Sequence, residues 1–90
     1  MPRKRARLDI ITDMLAALQK NNGEMKPTHL MYKSNLSHVQ MTSYLDELVQ
    51  KEMVKKVKKN NYDYLIMTDK GFEFLQKLSQ MREFEKAFGL

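Results

Sequence analysis

Residues 54–71 read VKKVKKNNYDYLIMTDKG, and this stretch decides the fold because the hydrophobic period changes within it. Two short runs rich in Val, Tyr and Ile flank Asn60-Asn61. Asparagine readily takes the positive φ that both central residues of a type I′ hairpin turn require. The stretch therefore predicts a two-stranded hairpin with lysines near its tip.

A turn at Asn60-Asn61 also sets the register of the hairpin. It places Val54, Leu65 and Met67 on the inward face. The outer face then carries a mixed set, namely Lys55, Val57, Lys59, Tyr62, Tyr64 and Ile66. Because so apolar an outer face is unusual, a register shifted by one residue stays open.

The apolar residues before the hairpin recur at helical spacing. Leu8, Ile11, Leu15 and Leu18 predict a first helix from about Arg5 to Asn21, which the following Asn22 and Gly23 help to end. A short second helix is predicted over residues 28–34 after Pro27, with Thr28 as its cap. Its inward side chains are expected to be Leu30, Met31 and Tyr32.

A third and a fourth helix enclose the hairpin. Ser37, followed three residues later by Gln40, fits a capping box that starts the third helix, with a buried seam of Met41, Leu45 and Leu48. Thr68 is expected to cap the fourth helix, which continues to about Ala87. Its apolar stripe comprises Phe74, Leu75, Leu78, Met81, Phe84 and Phe88.

The order helix, helix, helix, hairpin, helix predicts an α+β, mostly helical fold of the winged helix-turn-helix type, with three helices, a hairpin wing and a C-terminal dimerisation helix. The chain of 90 residues is expected to be a single domain. Its predicted parts are a basic tail over 1–7, a winged-helix core over 8–67 and the C-terminal helix over 68–90.

Several segments resemble the small archaeal winged-helix DNA-binding proteins that are related to dimeric chromatin and transcription-regulator proteins. The resemblance covers roughly residues 6–80 and is carried by the segment HLMYKSNLS at 29–37, Tyr44-Leu45, Leu48-Val49, LIMTDKG at 65–71 and Glu73-Phe74-Leu75. It implies duplex DNA binding through the third helix and the wing, and dimerisation through the fourth helix. The chain departs from the family at Lys51-Glu52, where a glycine usually ends the third helix.

The net charge of +5 is concentrated in two places. Residues 1–7 carry four basic and no acidic side chains, and residues 51–67 carry five lysines against two acids. Basic charge gathered on a tail and one hairpin indicates a polyanionic partner. The alternative is that the lysines only protect an edge strand from aggregation.

The predicted partner is double-stranded DNA, with the third helix in the major groove and the wing on the phosphates. The expected contacts lie on the third helix (Ser37, His38, Val39, Gln40, Thr42 and Ser43), on the wing (Lys55, Lys56, Lys58, Lys59 and Tyr62) and on the tail (Arg3, Lys4, Arg5 and Arg7). The central face of the third helix has no Arg, Asn or Gln, and Asp46 and Glu47 follow it. Phosphate contacts are therefore expected to contribute more than base readout.

The sequence argues against an enzyme. It has no Cys and only three Gly, and neither His29 nor His38 has an acidic residue at a metal-ligand spacing. We expect no catalytic residue, metal, cofactor or small-molecule substrate. No apolar run is long enough to span a membrane, so a cytoplasmic, nucleoid-associated protein is expected.

The fourth helix is expected to form a homodimer, because its apolar stripe continues past the part that the domain core needs. The predicted interface comprises Phe74, Leu78, Met81, Phe84, Glu85 and Phe88. A helix that folds back onto its own domain is the alternative. For function, the alternative is a protein-interaction module without DNA readout that uses Tyr62, Tyr64 and Ile66 of the wing.

Overall fold

The computed structural model describes residues 5–90 and contains four helices and one antiparallel sheet. The elements, in chain order, are α1 (Arg7–Lys20), β1 (Glu24–Met25), α2 (Pro27–Lys33), α3 (His38–Gln50), β2 (Val54–Lys59), β3 (Tyr62–Met67) and α4 (Asp69–Ala87). The sheet order is β1-β3-β2. The predicted α+β winged helix-turn-helix architecture is confirmed.

The hairpin has the predicted turn and register. Asn60 and Asn61 take φ values of 50° and 69°, as a type I′ turn requires. Lys59 pairs with Tyr62 beside the turn and Val54 pairs with Met67 at the base, so the register is not shifted. Because side chains alternate along a strand, the outer face is as mixed as the sequence indicates.

The sequence missed strand β1, so the predicted two-stranded ribbon is a three-stranded sheet. Glu24 pairs with Ile66 and Met25 with Leu65. A further bond runs from the Met67 amide to the Gly23 carbonyl at 2.8 Å. A strand of two residues shows no period of its own, and only its pairing with β3 defines it.

The predicted start of the second helix was wrong in detail. Helix α2 begins at Pro27 and its N-cap is Lys26, which forms no side-chain cap, so Thr28 is not the capping residue. Proline suits this first position because its missing N–H would have no helical partner there. Tyr32 is exposed rather than buried, since a helix of seven residues turns only Leu30 fully into the core.

All four helices end in the same hydrogen-bonded turn, the Schellman motif. At the end of α3 the Met53 amide donates to Leu48 at 2.9 Å, and the Glu52 amide donates to Val49 at 3.0 Å. The residue directly after the C-cap has a positive φ in each turn, namely Asn22 after α1, Asn35 after α2, Glu52 after α3 and Gly89 after α4. Thus Glu52 replaces the expected glycine, and α3 ends at Gln50 without running on.

One hydrophobic core lies between the helices and the sheet. The side chains that are least exposed come from α1, α2, α3 and the two long strands, namely Met14, Leu15, Leu18, Leu30, Leu48, Val54 and Leu65. The predicted α3 seam of Met41, Leu45 and Leu48 is buried as expected. Burial of α3 along this seam leaves its opposite face in solvent.

The end of α3 is joined to the start of α4 by a tight junction. The Thr68 hydroxyl donates to the Glu52 carbonyl at 2.6 Å and accepts from the Gly71 amide at 3.1 Å. The Thr68 amide donates to the Met53 carbonyl at 3.1 Å. A Cβ on Gly71 would lie 2.4 Å from that same carbonyl oxygen, so only glycine fits.

Replacing Gly71 tests this junction. Gly71→Ala is expected to lower the free energy of unfolding by about 1–3 kcal/mol, because the backbone of Met53 must move. Helix propensity alone would raise it by about 1 kcal/mol. Ser79→Ala, at an exposed position of the same helix, is the control and should change stability by less than about 0.5 kcal/mol. Urea denaturation measures both, and a Gly71→Ala variant as stable as wild type would contradict the close approach.

Candidate nucleic-acid interface

A capping box fixes the start of α3, as the sequence predicted. The Ser37 hydroxyl accepts from the Gln40 amide at 3.2 Å, and the Gln40 side-chain oxygen accepts from the Ser37 amide at 3.0 Å. The two bonds satisfy backbone donors that the helix itself leaves unpaired. Only the oxygen of the Gln40 side chain is used, so its amide nitrogen is left to donate to a ligand.

The predicted contact residues at the start of α3 share one exposed surface. Val39 is 78% exposed, and His38, Thr42 and Ser43 are exposed beside it. The Thr42 hydroxyl donates to the His38 carbonyl at 3.0 Å, so towards a ligand it is an acceptor. The Ser43 hydroxyl forms no side-chain hydrogen bond within residues 5–90, and it is left as both donor and acceptor.

The acidic residues of α3 lie in its second half and are paired with basic side chains. Asp46 lies 3.9 Å from the Lys56 ammonium on the wing. Glu47 lies 3.6 Å from Lys51 and forms a second ion pair with Arg7. These pairs offset the negative charge that would otherwise repel phosphate, and the first two turns of the helix contain no acid.

The wing lysines divide into two groups. Lys59 forms an ion pair with Glu24 of β1, and Lys56 faces Asp46. Lys55 and Lys58 are exposed and pair with no carboxylate in the described part of the chain. The ammonium groups that are left for an external anion therefore belong to Lys55 and Lys58.

The basic residues at the start of α1 form contacts with other parts of the same chain. Arg5 donates to the Ser34 carbonyl and to Asp13, both at 2.8 Å, and so caps the C-terminus of α2. Arg7 is paired with Glu47 on α3. Sequence patterns do not predict these pairs, because most of the partners are distant along the chain. The other two predicted tail contacts, Arg3 and Lys4, lie outside the described residues.

The predicted dimer residues on α4 fall into two sets. Leu78 is buried in its own domain and Phe74 packs against the core. The distal set, Met81, Phe84, Glu85 and Phe88, is exposed. The rings of Phe84 and Phe88 are 62% and 69% exposed, and their centroids lie 4.8 Å apart. The end of α4 thus carries an aromatic patch that its own domain does not cover.

Two further features bear on the function classes that the sequence excluded. No group of three or more His, Cys, Asp or Glu side chains that could hold a metal ion occurs among residues 5–90. Over the same residues, no helix combines the length and the apolar character needed to cross a membrane. The absence of catalysis and of a cofactor remains a prediction.

Comparison with known proteins gives the family. A family profile described as winged helix-turn-helix matches residues 4–86. The chain belongs to this family. In a winged helix-turn-helix, the β2–β3 hairpin corresponds to the wing, and α3 is the second helix of the helix-turn-helix. No curated protein sequence matches the chain.

Solved structures share the fold over most of the winged helix. F93 from STIV, a winged-helix DNA-binding protein, is 18% identical with a TM-score of 0.76, covering 93% of this chain and 95% of its own. Sso10a-2, a DNA-binding protein from Sulfolobus solfataricus, is 20% identical with a TM-score of 0.70. The match covers 94% of this chain and 90% of Sso10a-2. YusO from Bacillus subtilis is 21% identical with a TM-score of 0.81, but the match covers 90% of this chain and only 59% of YusO.

Proposed function

We propose that the protein binds duplex DNA as a homodimer, with the first half of α3 in the major groove and the wing on the phosphate backbone. The observation that carries the proposal is the pairing of two surfaces. The exposed start of α3 has no acidic side chain, and strand β2 of the wing bears Lys55 and Lys58, which pair with no carboxylate among residues 5–90. The 3.9 Å contact between Lys56 and Asp46 places that strand beside the helix.

The chemistry of the two surfaces suits different parts of a duplex. A major groove about 12 Å wide accepts a helix, and the small side chains of α3 allow its backbone to approach closely. Ser43 and the Gln40 amide offer hydrogen bonds to base edges, and the exposed Val39 offers a methyl contact to thymine. Lys55 and Lys58 neutralise phosphates and release counterions.

The balance of these contacts favours a weakly selective binder. No Arg, which makes the commonest specific contact to guanine, is present on α3. The phosphate contacts therefore provide most of the affinity, as expected for a chromatin-associated protein or a regulator of modest specificity. F93 and Sso10a-2 are described as DNA-binding proteins and several neighbours as MarR-family regulators, which supports the same class of function.

Salt dependence tests the wing contact. Lys58→Ala should weaken binding to all duplex sequences alike and lower the slope of log K against log salt by about 1.8 for the dimer, because each of the two protomers loses a phosphate contact worth about 0.9. Lys77→Ala, which removes the same charge from α4, is the control and should leave the slope unchanged. Fluorescence anisotropy with a random-sequence duplex at several salt concentrations measures both.

Two outcomes would argue against DNA binding by the wing. An unchanged slope for Lys58→Ala would remove this residue from the interface. Wild-type protein that binds no duplex even at low salt would favour the alternative, a protein-interaction module that uses the outer face of the wing.

The homodimer is proposed from the end of α4. The helix has 19 residues, which corresponds to about 28 Å. The described part of the chain measures 49 Å along its longest axis but 32 and 21 Å along the others. Beyond Arg82, which lies 3.7 Å from Asp9 of α1, every residue of the helix is exposed. An exposed patch of Phe84, Phe88 and Met81 would adhere nonspecifically, and a twofold partner helix buries it.

Charge placed in this patch tests the dimer. Phe84→Glu should give a folded monomer of 10.7 kDa in sedimentation, because a carboxylate would enter the interface twice. Lys86→Gln, which makes the same change in net charge on the opposite side of the helix, should stay dimeric. The monomer should bind duplex DNA at least tenfold more weakly, since it has lost half of its phosphate contacts. Wild-type protein that sediments as a monomer at tens of micromolar would refute the dimer.

A further inference from the structure

A second surface with exposed rings lies between the start of α2 and the tip of the wing, and the DNA contacts proposed above for α3, Lys55 and Lys58 do not use it. An open cleft of about 600 Å³ lies between the start of α2 and the tip of β3. We call it the tyrosine cleft. It is lined by Lys26, Pro27, Thr28, His29, Tyr32, Tyr62 and Asp63, and none of them belongs to α3. Its volume lies within the range of small-ligand sites.

The rings that border the tyrosine cleft are exposed. Tyr32 is 73% exposed and Tyr62 is 59% exposed, and His29, which precedes Tyr32 on α2, is also exposed. The Lys26 ammonium lies 4.3 Å from the centroid of the Tyr62 ring, within the range of a cation–π contact. Tyr62 is therefore held in place on one side while most of its surface stays accessible.

The charges around the tyrosine cleft suit a phosphate chain. Lys26 pairs with no carboxylate in the described part of the molecule, so its charge is not cancelled. Asp63 is the one acid of the lining. The cleft thus combines aromatic rings with a lysine ammonium that forms no ion pair within residues 5–90.

This combination selects among ligand classes. The lining contains no Leu, Ile, Val, Met or Phe, whereas the centres of protein interfaces are apolar and poor in charge. A duplex keeps the faces of its bases stacked inside and cannot offer them to tyrosine. A single strand exposes both the faces of its bases and its phosphates, which is the pairing that aromatic and basic side chains recognise.

We propose that the tyrosine cleft binds single-stranded DNA, with bases stacked on Tyr62 and Tyr32 and a phosphate held by Lys26. The cleft adjoins the wing, so DNA that is locally unpaired beside the bound duplex would be within its reach. The choice of DNA over RNA rests on the proposed function. The ability of the cleft to bind a single strand is inferred only from its exposed tyrosine rings and the Lys26 ammonium.

Two optical signals test the proposal on the full chain. Labelled dT12 and a 12-base-pair duplex are titrated separately by anisotropy. Quenching of tyrosine fluorescence is followed with unlabelled dT12, because the chain has four Tyr and no Trp. Stacking should quench the emission. Tyr32→Ala should weaken dT12 binding about tenfold, which is the usual loss for one stacked base, and change duplex binding less than twofold.

Conservative and matched variants separate stacking from charge and from folding. Tyr32→Phe keeps the ring and should bind dT12 as wild type does. Lys26→Ala should lower the salt slope for dT12 by about 0.7, and Lys77→Ala should not. Thermal denaturation should show that all variants are folded at the assay temperature.

Several results would overturn the proposal. These are no binding of dT12 at low salt, equal losses on dT12 and duplex for Tyr32→Ala, or tighter binding of U12 RNA than of dT12. If dT12 fails while the duplex binds, only the tyrosine cleft proposal is refuted. If the duplex fails while dT12 binds with the expected variant effects, only the duplex proposal is refuted.

Discussion

The close approach of Gly71 to the Met53 carbonyl is the constraint on which the rest of the structure depends. Met53 lies between α3 and β2, and Thr68 lies between β3 and α4, so a single contact joins four elements. The Thr68 hydroxyl bridges the two chain segments, and the Val54–Met67 pair continues directly from them. Because α3, the wing and α4 all leave this junction, its geometry sets their relative directions.

The same junction holds the backbone of Glu52 in its strained, left-handed conformation. A residue other than glycine in the left-handed region costs roughly 1–2 kcal/mol, and Glu52 has a φ of 61°. Its carbonyl accepts the Thr68 hydroxyl, so the turn that contains the strain is also held by α4. The motif Thr68-Asp69-Lys70-Gly71 thus connects the end of α3 to the start of α4 at the base of the wing.

The same scaffold sorts the basic side chains by role. Arg5 and Arg7 bind α1 to α2 and α3, and Lys59 binds the wing to β1. Their charges are used within the chain, although exposed ion pairs add little stability individually. The remaining charge on the wing comes from Lys55 and Lys58, which form no ion pair within residues 5–90. A count of net charge alone would not separate these two groups.

The sequence predicted the features that local chemistry determines. Asn60-Asn61 set the hairpin register, Ser37 and Gln40 set the start of α3, and Thr68 set the start of α4. The features that it missed depend on residues brought together by the fold. Strand β1 exists only against β3, and the Arg5 contact with Ser34 spans 29 positions of the chain.

The candidate site shows the same division. The exposed face of α3 followed from helical spacing, since the buried seam fixes which side chains point away from it. Which lysines are left for an external anion did not follow, because it depends on carboxylates of β1 and α3. The position of Lys26 over Tyr62 likewise required the pairing of β1 with β3.

Mapping of amide chemical shifts on a duplex tests the central claim most directly. The ¹⁵N-labelled chain is titrated with a 16-base-pair duplex at low salt, and shift changes are assigned residue by residue. The proposed interface predicts the largest changes over residues 37–43 and 58–61, with small changes in the core of α1. Changes confined to the end of α4, or no changes at saturating duplex, would contradict DNA binding through α3 and the wing.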